Sequence, residues 1–202
     1  MKKKVAVAMS GGVDSSLTAA LLIEQGYDVI GVTMTLSDES REAGGSTAVS
    51  DAKKVADALN IPHYVVNYHK KFKDDVIKYF ISEYAKGRTP NPCVRCNNTV
   101  KFGSLLKDCL ELGADCVATG HYARIEQDEK TGRYLLKKGL DVRKDQSYVL
   151  YTLTQDVLKH FMLPLGNYSK EKTRELAGKM NLPVANKPES QEICFIPNCP
   201  IH

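Results

Sequence analysis

The stretch that decides the fold is Lys4-Val5-Ala6-Val7-Ala8-Met9-Ser10-Gly11-Gly12-Val13-Asp14-Ser15-Ser16. Its first six residues, an apolar run after Lys4, are too short for a helix and read as a buried strand. The next three, Ser10-Gly11-Gly12, make a turn in which glycine lets the backbone bend sharply and approach an anion closely. From Ser15 to Gln25 the pattern is helical, with Gly26 as its stop. A strand, a glycine turn and a helix N-terminus together form an anion site, because the first amides of the helix have no partner within it and carry the positive end of its dipole. Ser10, Ser15 and Ser16 add hydroxyl donors. Asp14 would repel a bare phosphate, and its expected role is to hold a Mg²⁺ that bridges phosphates. No Gly-Lys-Ser/Thr follows the loop and a third glycine is missing, which excludes the two commonest nucleotide loops.

Outward from this loop, strands are expected at 29–34, 61–66 and 114–119. Helices are expected at 50–59 (Ser50 as cap, with Ala52, Val55, Ala56 and Leu59 as its apolar stripe), 72–86 and 99–112. Such alternation argues for an α/β fold, a doubly wound and largely parallel sheet. Segments 123–127 and 133–137 read as a hairpin, and further helices are expected at 146–151, 154–161 and 169–180. The first 153 residues are read as one nucleotide-binding domain and residues 154–202 as the start of a second. Residues 37–49, rich in Ser, Gly and Glu, are the candidate lid.

The 202 residues carry a net charge of +4, with 43% hydrophobic and 26% charged residues. This is the composition of a folded soluble chain, mildly suited to a phosphate-rich partner. The longest apolar stretches, such as 17–23, are too short to span a bilayer, and the basic start runs into a strand and not a signal peptide. A cytoplasmic location is expected, where the six cysteines (93, 96, 109, 116, 194 and 199) would be packing, catalytic or metal-bound residues rather than staples. The prolines of Arg88-Thr89-Pro90-Asn91-Pro92-Cys93-Val94-Arg95-Cys96-Asn97 predict a rigid, non-helical loop up to the cysteines. A thiol beside Arg95 and a helix start is expected to have a lowered pKa. Cys194 lies in an apolar, strand-like segment, whereas Cys109 and Cys116 read as packing residues.

Ser10 to Ser16 resembles the pyrophosphate loop of ATP pyrophosphatases. With it come GRTPNPCVRCN (87–97), Lys101-Phe102, ATGHYAR (118–124), KDQSYVLYTL (144–153) and ICFI (193–196). In this order, over essentially the whole chain, they resemble the tRNA-specific 2-thiouridylases, the MnmA family. The resemblance implies the following. ATP phosphates are bound by Ala8, Met9, Ser10, Gly11, Gly12, Val13, Asp14 and Ser15, with Met34 and Gly120 also on the nucleotide. Cys96 is the thiol nucleophile, and Cys194 carries a persulfide received from a sulfur-relay donor protein. Lys144, Asp145 and Gln146 contact tRNA. The activity implied is adenylation of a uridine oxygen and its replacement by sulfur. The family continues past ICFI into a further domain and a small β-barrel, and the β-barrel is expected to be absent here. Many members have Asp in place of Cys93, so Cys93, Cys96 and Cys194 form a trio that could instead hold a [4Fe–4S] cluster; zinc would need a fourth ligand such as Cys199. Two further functions stay open at this point: a different ATP pyrophosphatase, or a metal-binding module without turnover.

The remaining candidates have plainer readings. His121, at the end of the fourth strand, is open between a site role and a structural hydrogen bond, whereas His63, His69 and His160 show no metal spacing. Tyr148, Tyr151 and Phe161 are expected mainly in the core, with Tyr148 alternatively stacking on a flipped base. Lys137, Lys138, Arg143 and Lys144 form a basic cluster suited to RNA phosphate.

Overall fold

The computed structural model describes residues 2–36, 46–189 and 193–196. Five parallel strands form one sheet in the order β3 (His63–Asn67), β2 (Asp28–Thr35), β1 (Lys4–Ala8), β4 (Cys116–Ala118) and β7 (Phe161–Met162). A separate antiparallel hairpin pairs β5 (Ala123–Gln127) with β6 (Tyr134–Lys138), as expected. The sheet is doubly wound. In β1, Val5 and Val7 face a cluster with Ala19 and Leu22 of α1 (Val13–Glu24) and Ala52, Val55 and Ala56 of α2 (Ser46–Ala58). Ala6, between them, faces the opposite cluster with Phe72, Phe102 and Leu105. Both faces are covered, which is why these strands read as continuous apolar runs.

The chain builds β1, β2 and β3 outward on one side, then crosses back to place β4 on the other side of β1. The carboxyl ends of β1 and β4 therefore diverge at a topological switch point, where open α/β sheets leave a crevice for ligands. The return path is helical: α3 (His69–Phe72) runs through a widened π turn (Lys73–Ile77) into α4 (Lys78–Ala85). A second helical run passes through α5 (Pro92–Cys96), a π stretch (Asn97–Ser104) and α6 (Leu105–Glu111).

Several expectations change. The helix expected from 50 begins at Ser46, so Ser50 is not its cap, although Ala52, Val55 and Ala56 are fully buried as expected. The segment 88–97 is not a rigid loop up to its cysteines: Pro92 opens a helix, because proline at the first helical position forfeits only an amide that has no partner anyway. Asn91 caps it, accepting from Cys93 N at 3.0 Å and Val94 N at 3.4 Å. The helix expected at 146–151 is a single 3₁₀ turn (Ser147–Val149), which leaves Tyr148 and Tyr151 exposed instead of in the core. The helix expected at 154–161 stops at Leu158 in α7 (Gln155–Leu158), and Phe161 enters the sheet as β7. Beyond β7, α8 (Lys170–Lys179) lays Ala177 against Leu17, Ala20 and Leu21 of α1. Residues 193–196 form a turn rather than a strand. Residues 37–45 of the expected lid, and Cys199, lie outside the described residues. Among the described residues no helix is long and apolar enough to cross a membrane.

Candidate active site

A cavity of about 570 Å³ opens at the switch point. Ala8, Met9, Ser10, Asp14 and Ser15 form one wall of its lining and Cys93, Cys96 and Cys194 another, and Met34 and Gly120 also line it. Of the phosphate-loop residues, Gly11, Gly12 and Val13 are not in the lining; Val13 is turned into the core.

The loop's geometry follows from its residue types. Gly11 has φ +69°, and a Cβ there would lie 2.4 Å from Ala48 O. Gly120, at the end of β4, comes so close that a Cβ would sit 2.9 Å from Asp14 C and Ser15 N. Ser15 Oγ accepts from Ser10 N at 3.1 Å and donates to Gly12 O at 3.1 Å, while Ser16 Oγ donates to Gly12 O at 2.8 Å. The N-cap of α1 is Gly12, which offers no side-chain oxygen to the first amides of the helix. Those amides are left available to an anion.

Asp14 is held by residues that the sequence did not single out. Lys170 Nζ, 156 positions away, lies 2.6 and 2.8 Å from its two carboxylate oxygens. Tyr122 donates its hydroxyl to Asp14 Oδ1 at 2.9 Å. A Mg²⁺ on Asp14 would have to share this carboxylate with the ammonium that already pairs with both of its oxygens. Among the described residues, no group of three or more His, Cys, Asp or Glu side chains is arranged to hold a metal ion, and this includes the trio of Cys93, Cys96 and Cys194.

The thiols differ in setting. Cys96 is buried at 7% exposure, and burial pushes its thiol up to about 11. The lowered pKa expected from Arg95 is not found, because the guanidinium turns away. It donates to Asp75 O at 3.1 Å and lies over the Tyr79 ring, 5.3 Å from its centroid. Cys194 is exposed, yet partial desolvation also raises its thiol. Lys101, another residue lining the cavity, opposes both shifts by its charge. It stands five positions after Cys96, which in an α-helix would be about 140° around the axis. The π stretch changes that rotation and brings Lys101 to the cavity side. Cys109 and Cys116 are in the core, as expected of packing residues.

His121 shares a hydrogen bond of 2.8 Å between its Nδ1 and Thr119 Oγ1, and it also lines the cavity, so both of its readings have a place in the structure. Desolvation pulls its pKa down to about 3, so it is neutral near pH 7. Gln146 lines the cavity too, with its Oε1 accepting from Tyr122 N at 3.0 Å. Lys144 and Asp145 do not line it. Lys144 Nζ pairs with Glu189 at 2.8 Å, and Asp145 accepts from Gly139 N at 2.9 Å and Ser147 Oγ at 2.8 Å. Most of the basic cluster is likewise paired: Lys137 with Glu126, and Arg143 with Glu171 at 2.7 Å.

Over residues 3–198 this chain matches the family described as the tRNA methyl transferase HUP domain. The chain belongs to that family. Within this HUP-domain family it is 59% identical, over 98% of its length, to a protein named tRNA-specific 2-thiouridylase MnmA 1 from Caldanaerobacter subterraneus subsp. tengcongensis. It is 57% identical over 98% of its length to the tRNA-specific 2-thiouridylase MnmA of Carboxydothermus hydrogenoformans. It spans only 57% and 56% of those two relatives. Solved HUP-type folds that it resembles include the U34-tRNA thiolase NcsA from Methanococcus maripaludis with its [4Fe-4S] cluster (TM-score 0.60, 20% identity, 95% of this chain and 62% of that one). A 4-thiouridine synthetase–RNA complex with bound ATP gives a TM-score of 0.59 at 19% identity, covering 96% of this chain and 45% of that one. At these identities the likeness establishes the doubly wound α/β fold.

Proposed function

We propose that this chain carries the ATP- and sulfur-handling site of a tRNA uridine 2-sulfurtransferase. The observation that carries the reading is the convergence of Cys96 and Cys194, 98 positions apart, on the cavity that the phosphate loop also lines. Anion-ready amides on one side and two thiols on the other suit one reaction class: activation of a carbonyl oxygen, followed by its displacement by sulfur. The high identity to proteins named 2-thiouridylases supports it.

In the first step a uridine O2 attacks the α-phosphorus of ATP and pyrophosphate departs, which turns a poor leaving group into AMP. The loop's amides and serine hydroxyls would hold the phosphate charge as it develops. A persulfide on Cys194, supplied by a sulfur-relay donor protein, attacks C2 with its outer sulfur, and AMP leaves. Cys96, as thiolate, then attacks the Cys194 sulfur, releasing the 2-thiouridine and leaving a Cys96–Cys194 disulfide for an external dithiol to reduce. Burial disfavours the Cys96 thiolate, and the Lys101 ammonium offsets part of that cost. The tRNA would approach across Lys144, Asp145, Gln146 and the exposed Tyr148, whose ring can stack on a base taken out of its helix. These steps use the thiols of Cys96 and Cys194 and need no cluster, although Cys93 shares the cavity with both.

The test is incubation of the chain with ATP, a tRNA transcript and a persulfide donor, followed by measurement of thiolated uridine. Cys194→Ser and Cys96→Ser should each abolish product while ATP affinity stays unchanged. Thiolated product from either variant would overturn its assigned role.

A further inference from the structure

A carboxylate in a phosphate loop needs a physical reason, since Asp14 stands among glycines, hydroxyls and helix amides that all favour an incoming anion. Its obvious use, as a metal ligand, is not what the structure shows: an ammonium pairs with both of its oxygens. A different role is visible in what surrounds it.

Lys170 Nζ bridges Asp14, at 2.6 and 2.8 Å, and Glu189 Oε1, at 2.5 Å. Glu189 in turn receives Lys144 Nζ at 2.8 Å. Asp14, Lys170, Glu189 and Lys144 thus form a chain of alternating charge with no net charge. The two lysines hold the Glu189 carboxyl down at about 2.

The position of Lys170 is costly. It is the first residue of α8, at the positive end of that helix's dipole, and its side chain is only 9% exposed. A buried lysine at a helix N-terminus is retained for its partners and not for local stability. Its backbone amide donates to Asp141 Oδ2 at 3.0 Å, and its ammonium lies 5.6 Å from the centre of the Tyr122 ring, which fixes its direction. Asp14 lines the cavity and Lys170 does not. The lysine therefore acts through the aspartate and not on the ligand directly.

We propose that Lys170 is a positioning residue of the phosphate loop: it neutralises Asp14 and holds that carboxylate aside so that the loop can accept a nucleoside triphosphate. This rests on the reading of the loop as an ATP site. Remove the ammonium, and an uncompensated carboxylate faces the phosphates. Remove the carboxylate as well, and the repulsion disappears.

The experiment measures the affinity of ATP, and of adenosine as a ligand without phosphates, for wild type, Lys170→Met, Lys170→Arg and the double variant Asp14→Asn/Lys170→Met. Thermal melts check that each is folded. Lys170→Met should weaken ATP by about tenfold or more, which is about 1.4 kcal/mol, with adenosine affinity unchanged. Lys170→Arg should retain most of the ATP affinity. Adding Asp14→Asn to Lys170→Met should tighten ATP again, the non-additivity expected of a directly coupled pair. If Lys170→Met does not fold, the double variant and Lys170→Arg carry the test. Equal ATP affinity in wild type and Lys170→Met, parallel losses for ATP and adenosine, or further weakening on adding Asp14→Asn would each overturn the proposal. Failure of wild type itself to bind ATP would sink the reading of the loop, a result distinct from these.

Discussion

The two walls of the cavity are built by opposite means. The phosphate-loop wall is continuous in sequence: its turn is closed by hydrogen bonds between residues at most five apart and shaped by Gly11, which has no room for a side chain, although Tyr122 and Lys170 reach its Asp14 from far along the chain. The sulfur wall is assembled from α5 and from the turn at 193–196, nearly a hundred residues later. Of its three thiols, Cys96 is buried and Cys93 and Cys194 are exposed. A preorganised wall suits a charge that must be met at once, whereas a wall made of distant pieces suits, under the proposed function, a group that is loaded with sulfur from outside and then delivered.

The sharpest way to break this contrast is to damage one wall and read the other. Gly120→Val puts side-chain atoms where Asp14 and Ser15 backbone already stand. It should lower ATP affinity by about a hundredfold or more, on the scale of about 3 kcal/mol, while alkylation of Cys194 by iodoacetamide continues at the wild-type rate. Loss of both together would show that the walls are not independent.

The sulfur wall can be tested by pH. With burial holding the Cys96 thiol at about 11, its alkylation rate should rise about tenfold per pH unit from pH 7 to near 10, with no plateau around pH 8.5. A plateau near the ordinary thiol value, read by peptide mass spectrometry, would contradict the burial of this thiol.

His121 also lines the cavity, and its effect is on stability. Its pKa is depressed from 6.5 to about 3, so the unfolded chain takes up a proton at higher pH than the folded one does. This contribution is complete above pH 6.5 and is lost as pH falls towards 3, by at most about 1.4 kcal/mol per pH unit. The melting temperature should drop over that window, and His121→Asn should flatten the drop. The smallest effect expected is at the cap of α5: Asn91→Ala should cost about 1 kcal/mol of stability, seen in denaturant unfolding, with ATP affinity unaffected.

Much of the fold was legible because its signals are local. The strand–turn–helix of residues 4–25, the apolar stripe of α2 and the hairpin all appear in the structure, since periodicity and glycine placement report directly on burial and turn geometry. The misreadings share a cause as well. Phe161 and Met162 form a two-residue strand, too short to carry a period, that exists only because β4 offers it an edge. Tyr148 and Tyr151 matched a helical spacing that a single 3₁₀ turn does not honour. The expected activation of Cys96 by Arg95 failed because adjacency in sequence does not fix where a long side chain points.

By itself, the sequence determined the strand–glycine turn–helix unit and the parallel sheet, because each rests on residue type and short-range geometry, while Cys96 and Cys194 stood out only through the family resemblance. Tertiary structure decided that the thiols meet the loop in one cavity, that burial rather than a neighbouring cation governs Cys96, and that Lys170 neutralises Asp14 across 156 positions. Charge pairing and desolvation depend on which atoms become neighbours after folding, and no local pattern encodes that.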